Sequence, residues 1–256
     1  MDTETIIRVR NLTTAYGGNV VLDDLSFDVQ RGQTFIILGG SGCGKSTLMK
    51  HMIGLYKPVS GQILIGDTDI VTAKGRQRKD LLRRFGVMYQ GGALFGSMTV
   101  HENIRLVLEE FTDLSRDAMD VICRIRLNLV GLGDAGQKFP SELSGGMQKR
   151  AAVARAMALD PAIIFLDEPS AGLDPITAAD FDQLINRLAK TLRITFVVVT
   201  HELASIYTIA DHVIMLDKVT KKIIAQGMPQ DLRDHSDNPW VRHFFNREPS
   251  EERKKN

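Results

Sequence analysis

Only two cysteines, Cys43 and Cys123, occur in the 256 residues. Two thiols neither build a disulfide framework nor fill a four-ligand zinc site, so a packed core in a reducing, cytosolic setting is expected. No long hydrophobic run is present. The longest, 35–38, 162–166 and 196–199, fall far short of the about 20 apolar residues of a membrane span. The first residues, MDTETIIRVRNL, lack a basic stretch followed by an apolar one, so no secretory signal is expected. Neither sign of charge prevails: 32 Lys and Arg face 31 Asp and Glu, a formal charge of +1. That balance argues against binding nucleic acid through bulk charge and leaves only a local patch.

What is present is an ordinary globular composition, 43% hydrophobic and 25% charged, which excludes bulk disorder. The length suits one or two domains. Short apolar strands alternate with helical segments, the pattern of an α/β protein. Segments 5–11 and 24–30 read as strands. Thr34 to Leu38, Ala162 to Asp167 and Thr195 to Thr200 are continuous apolar runs, as in strands buried on both faces. A helix with Leu48, Met49, Met52 and Ile53 on one face stops at Gly54. Val100, Ile104, Val107, Leu108 and Phe111 fall at helical spacing, and further helices are expected over about 115–130 and 145–159. They form a helical insertion between two strand-bearing parts. Asp174 is placed as the cap and Pro175 as the first residue of a helix reaching Leu192. No internal repeat is visible. The tail from Pro249, PSEERKKN, is expected to fray.

Residues 39–46 read Gly39-Gly40-Ser41-Gly42-Cys43-Gly44-Lys45-Ser46, between an apolar strand and a helix. This is a phosphate-binding loop in its required context. Glycines let successive N–H groups turn inward toward phosphate oxygens, and the helix N-terminus adds its dipole. Lys45 can neutralise the β- and γ-phosphates, and Ser46 can offer a hydroxyl to Mg²⁺. Asp167 and Glu168 end a buried strand, where two adjacent carboxylates are costly unless a site uses them. Asp167 is expected to hold Mg²⁺ and Glu168 to polarise an attacking water. Ser144-Gly145-Gly146 opens another helix, a second anion-binding device about a hundred residues from the first. Taken alone, it reads as an ordinary loop.

These motifs stand in a telling order: the phosphate loop with Thr47 behind it, Gln90 after an apolar segment, LSGGM at 143–147, FLDEP at 165–169, SAGLD at 170–174, then Thr200-His201. The chain resembles an ATP-binding cassette (ABC) ATPase over about residues 5–230. The resemblance implies a RecA-like P-loop core (about 5–92 and 160–230), an N-terminal antiparallel β subdomain and an inserted α-helical subdomain (about 93–159). The ATPase domain would span 5–240, and 231–256 would be a C-terminal extension. It implies that Tyr16 stacks on adenine, that Gln90 touches Mg²⁺ and relays contact to a membrane subunit, and that His201 contacts the γ-phosphate. It further implies ATP and Mg²⁺ as cofactors. One P-loop and one LSGG segment per chain imply a second copy, because each ATP lies between the P-loop of one chain and the LSGG of another. A chain with no span of its own also needs integral permease subunits.

A narrower likeness is carried by Gln90-Gly91-Gly92-Ala93-Leu94-Phe95, Ser144–Arg150, Leu173–Thr177, Ser205–Asp211 and the ending Asn238–Phe245. These stretches resemble the ATPases of MCE-type lipid transporters, the bacterial Mla system among them. That implies phospholipid transport between inner and outer membranes, an MCE-domain partner, no nucleic-acid partner, and a peripheral place on the cytoplasmic face of the inner membrane. The rivals are an importer ATPase for a polar solute, a soluble ABC-type factor acting on ribosomes or DNA, and a non-catalytic nucleotide-binding regulator. Three features stay open. Cys43 could be a redox sensor or merely a small loop residue. The basic stretch 74–84 could meet anionic lipid, a partner or only solvent. Trp240, Phe244 and Phe245 share one side of a helix and must pack on something; the chain's own core would serve, but the likeness of this ending to the Mla-type extension favours a neighbouring ATPase chain.

Overall fold

The computed structural model describes residues 4–248. An antiparallel sheet opens the chain: β1 (Thr5–Tyr16) and β2 (Asn19–Gln30) form a hairpin, and β4 (Ser60–Ile65) and β5 (Thr68–Asp69) extend it in the order β2-β1-β4-β5. Between them in the chain comes β3 (Thr34–Gly39), which belongs to the second sheet. The hairpin strands are longer than the 5–11 and 24–30 expected. Bulges explain why. Register shifts around Asn11 and Asp24, both with positive φ, switch the alternation phase midway, and the Asn11 amide donates to the Asp24 carboxylate at 2.9 Å across the irregularity.

The second sheet has the order β10-β9-β3-β8-β7-β6. Here β6 is Phe85–Met88, β7 Ile163–Asp167, β8 Thr195–Val199, β9 His212–Leu216 and β10 Ile223–Gly227. All neighbours in it run parallel except β10, which is antiparallel to β9. Every residue of β3, β7 and β8 is buried, which is why they read as unbroken apolar runs. Side chains alternate between two cores. Phe35 and Ile37 face the core shared with the antiparallel sheet, the helix after β3 and Leu81, while Ile36 and Leu38 face the core built by the helices from Val100 onward.

The helices are α1 (Lys45–Met52), α2 (Gly75–Leu82), α3 (Val100–Phe111), α4 (Arg116–Leu129), α5 (Gly145–Ala156), α6 (Pro175–Leu192), α7 (Leu203–Ile209), α8 (Pro229–His235) and α9 (Pro239–Asn246). Caps are as the sequence suggests. Asp174 accepts from the Ile176 and Thr177 amides, with Pro175 the first helical residue, and Ser144 accepts from Met147. Thr99 and Glu102 close a reciprocal capping box on α3. α5 ends at Ala156 rather than at 159. Its C-terminus presses on β6 at Gly86, where a Cβ would lie 1.9 Å from the Ala156 carbonyl oxygen. Only glycine lets helix and strand approach that closely.

Much of the basic stretch folds into α2; Lys74 and Arg76 are exposed, while Arg78, Lys79 and Arg83 find partners within the chain. Arg78 donates to the Gly54 and Ile70 carbonyls, Lys79 stands 5.7 Å over the Phe111 ring, and Arg83 donates to the Phe111 carbonyl. The aromatics of α9 pack on the chain's own core. Phe245 is buried, its carbonyl accepts from the Tyr207 hydroxyl at 3.0 Å, and Trp240 and Phe244 are half-buried beside it. The tail from Pro249 lies outside the described residues.

Candidate nucleotide site

Four of the parallel strands deliver functional side chains to one edge of the second sheet. β3 runs into the phosphate loop, β6 into Gln90, β7 into Asp167 and Glu168, and β8 into Thr200 and His201. Ligands of open α/β sheets bind at this carboxyl edge. A cavity of about 600 Å³ opens there, lined by Gly39–Gly42, Gly44–Thr47, Gln90, Glu168, His201, Val21 and Phe244.

Gly44 caps α1 with φ 99°, and a Cβ there would meet Leu22 at 2.7 Å. The turn that points the loop's N–H groups inward therefore requires glycine and is braced by β2. The Lys45 ammonium donates to the loop's own carbonyls, Gly39 at 2.9 Å and Gly40 at 3.4 Å. The Ser46 hydroxyl donates to Asp167 Oδ1 at 3.2 Å. Burial pushes the Asp167 carboxyl up, and the Ser46 hydroxyl opposes that shift.

Glu168 adopts φ 46°, a left-handed conformation that non-glycine residues seldom hold. Its amide donates to the Val199 carbonyl at 2.8 Å. Its Oε1 lies 2.9 Å from His201 Nδ1, and its Oε2 is buried with no hydrogen-bond partner. Leaving a buried carboxylate oxygen unpaired is costly, which sets this residue apart from an ordinary strand end.

Not every expected residue reaches the cavity. Tyr16 does not line it; it is exposed and meets Tyr56 edge-on at 5.7 Å. Cys43 is buried behind the loop, and burial raises its thiol pKa, the opposite of what a reactive thiolate needs. Ser144, Gly145 and Gly146 also lie outside the lining. Ser144 and Gly145 are exposed at the start of α5, so the helix presents its free N–H groups outward. Along α5, Lys149 donates to the Gln90 carbonyl, and nearer the helix end Arg155 donates to those of Gly92 at 2.9 Å and Ala93 at 2.6 Å. Val21 and Phe244 were not foreseen. Both arrive through tertiary packing, and for Phe244 the only signal was the aromatic cluster at 240–245.

The arrangement offers a cradle of backbone donors and a lysine for a polyanion, with an acid and an imidazole in contact beside it. Ser46, Asp167 and Gln90 supply hard oxygen donors. That set suits Mg²⁺, which takes one or two protein oxygens and completes its shell with water and phosphate.

A family model described as "ABC transporter" matches residues 22–171. The chain is 40% identical over 240 residues to the probable ribonucleotide transport ATP-binding protein mkl of Mycobacterium leprae, covering 94% of this chain and 68% of that one. It is 39% identical over 241 residues to the intermembrane phospholipid transport system ATP-binding protein MlaF of Escherichia coli K12, covering 94% of this chain and 88% of that one. Among solved structures, a dimeric ATP-binding cassette in a post-hydrolysis state with ADP and Pi superposes with a TM-score of 0.78 at 27% identity, over 87% of this chain and 98% of that one.

Proposed function

The chain belongs to the ABC transporter family of ATP-binding subunits, and from that premise we propose that it drives phospholipid transport between the inner and outer membranes. The activity is ATP hydrolysis coupled to transport. The observation that supports the lipid substrate is the likeness to MlaF over 94% of this chain and 88% of that protein.

In this reading the phosphate loop and Lys45 bind the triphosphate. Lys45 exchanges its two carbonyl partners for phosphate oxygens of higher charge. Ser46, Asp167 and Gln90 hold Mg²⁺, which when bound neutralises phosphate charge. Glu168 uses its unpaired oxygen to orient the attacking water, and His201 holds the other oxygen and faces the γ-phosphate. Tyr16 stacks on adenine once the hairpin tip turns toward the base. Ser144, Gly145 and Gly146 serve the nucleotide of a second copy, in keeping with their absence from the lining of their own cavity. The assembly comprises two copies of this chain, permease subunits and an MCE-domain protein, at the cytoplasmic face of the inner membrane.

Co-expression with a candidate permease and MCE-domain protein, followed by reconstitution between donor and acceptor vesicles, tests the reading. ATP-dependent movement of labelled phospholipid is expected. The name of the mycobacterial relative favours a second reading, a nucleotide or other polar solute as cargo. Uptake of labelled ribonucleotide without lipid movement would establish that one instead.

A further inference from the structure

The mechanism leaves unused a buried carboxyl on the far side of the catalytic loop. Asp182 sits on α6 at 3% exposure, among the apolar residues Phe181, Leu184 and Ile185, and its Oδ1 has no hydrogen-bond partner. The Ser205 hydroxyl of α7 donates to its carboxylate. Ser205 Oγ is in turn 3.5 Å from Ser170 Oγ, and both serines are buried. A serine hydroxyl has one proton to give. With that of Ser205 committed to Asp182, the Ser170 hydroxyl donates to Ser205. A one-way chain thus runs from Ser170 through Ser205 to Asp182.

The two serines occupy informative places. Ser170 follows Glu168 by two residues, and its carbonyl accepts from Leu173 at 3.1 Å, inside the loop that ends at the α6 cap Asp174. Ser205 follows His201 by four residues. The chain therefore ties together the two segments whose side chains meet at 2.9 Å in the cavity. Glu168 needs such a tie, because its left-handed backbone is not self-supporting. A half-satisfied buried carboxylate is costly, and an apolar side chain would suit this core position better for stability alone.

We propose that Asp182 is a positioning residue for hydrolysis, holding the 168–174 loop through Ser205 and Ser170 in the register that keeps Glu168 beside His201. This rests on the ATPase reading of the site.

Steady-state ATP hydrolysis by the full chain tests it. Asp182→Leu should lower kcat by about tenfold or more with KM for ATP within about twofold, because a misplaced base costs rate and not ground-state binding. Asp182→Asn, which keeps an oxygen for Ser205, should restore kcat to within about threefold of wild type. Ser170→Ala should reproduce the loss, and combining it with Asp182→Leu should cost no more than the worse single change. Should Asp182→Leu melt early, Ser205→Ala removes one oxygen only and carries the same expectation. Wild-type kcat in Asp182→Leu or Ser205→Ala, a proportional rise in KM, or multiplying losses overturn the proposal. A wild-type chain that binds no ATP and hydrolyses none overturns the ATPase reading itself.

Discussion

His201 Nδ1 stands 2.9 Å from Glu168 Oε1, while the second oxygen of the same carboxylate is buried and unpartnered. One oxygen is held and the other is left without a partner. Glu168→Gln keeps the shape and removes the charge that orients water, so turnover should fall by about 100-fold or more with ATP binding retained. The variant should accumulate as an ATP-bound dimer. Phosphate release and size-exclusion chromatography with and without ATP read the two effects. A variant no more dimeric with ATP than without would count against the two-copy site.

Lys45 lines the phosphate loop, and its ammonium donates to the Gly39 and Gly40 carbonyls. Lys45→Ala should abolish hydrolysis and weaken ATP binding by about tenfold or more, the loss of a charge-assisted contact. Calorimetric titration with a non-hydrolysable analogue checks the binding arm.

Phe244 and Phe245 are neighbours with different work. Phe244 lines the cavity half-buried, whereas Phe245 is 3% exposed in the core. Phe244→Ala should raise KM for ATP a few-fold and leave the melting temperature nearly unchanged. Phe245→Ala should cost about 3–5 kcal/mol of stability, as large-to-small core changes do. Thermal denaturation alongside ATP titration separates the two.

Burial, first, and then Glu202 push the Asp182 carboxyl from 3.8 up to about 6, against the opposing Ser205 hydrogen bond. A carboxyl raised in the folded state binds more protons there than in the unfolded chain. Its contribution is therefore fully present below about pH 4 and is lost as pH rises through about 6. About 2–3 kcal/mol is at stake. Asp182→Asn should flatten that slope and melt higher than wild type at pH 7.5. Melting curves from pH 4.5 to 8 give the comparison.

Much of this was legible in the sequence, and the reasons differ by element. β3, β7 and β8 are buried on both faces, so their apolar runs could not be missed. The cap residues Ser144 and Asp174 act over three residues, within reach of local reading. The hairpin was half hidden by bulges at Asn11 and Asp24. α2 was hidden by its charge, because Arg78 and Lys79 find their partners on segments far along the chain. The phosphate loop, Glu168 and His201 announce themselves by motif. Phe244 does not, because its place depends on α9 docking against Tyr207 of α7.

α5 is held by the Gln90 carbonyl at Lys149, about one turn past its start, and by the Gly92 and Ala93 carbonyls at Arg155 near its end, where it presses on β6 at Gly86, and its front carries Ser144. Twelve helical residues make a rod about 18 Å long. A shift of the Gln90 segment is therefore carried to Ser144 as a swing of that rod, with no slack loop between them to absorb it. In the proposed two-copy assembly the front of the rod would serve the other copy's nucleotide. The two sites would then be geared, and a chain that loses its grip at Gln90 would misalign a reaction occurring in its neighbour.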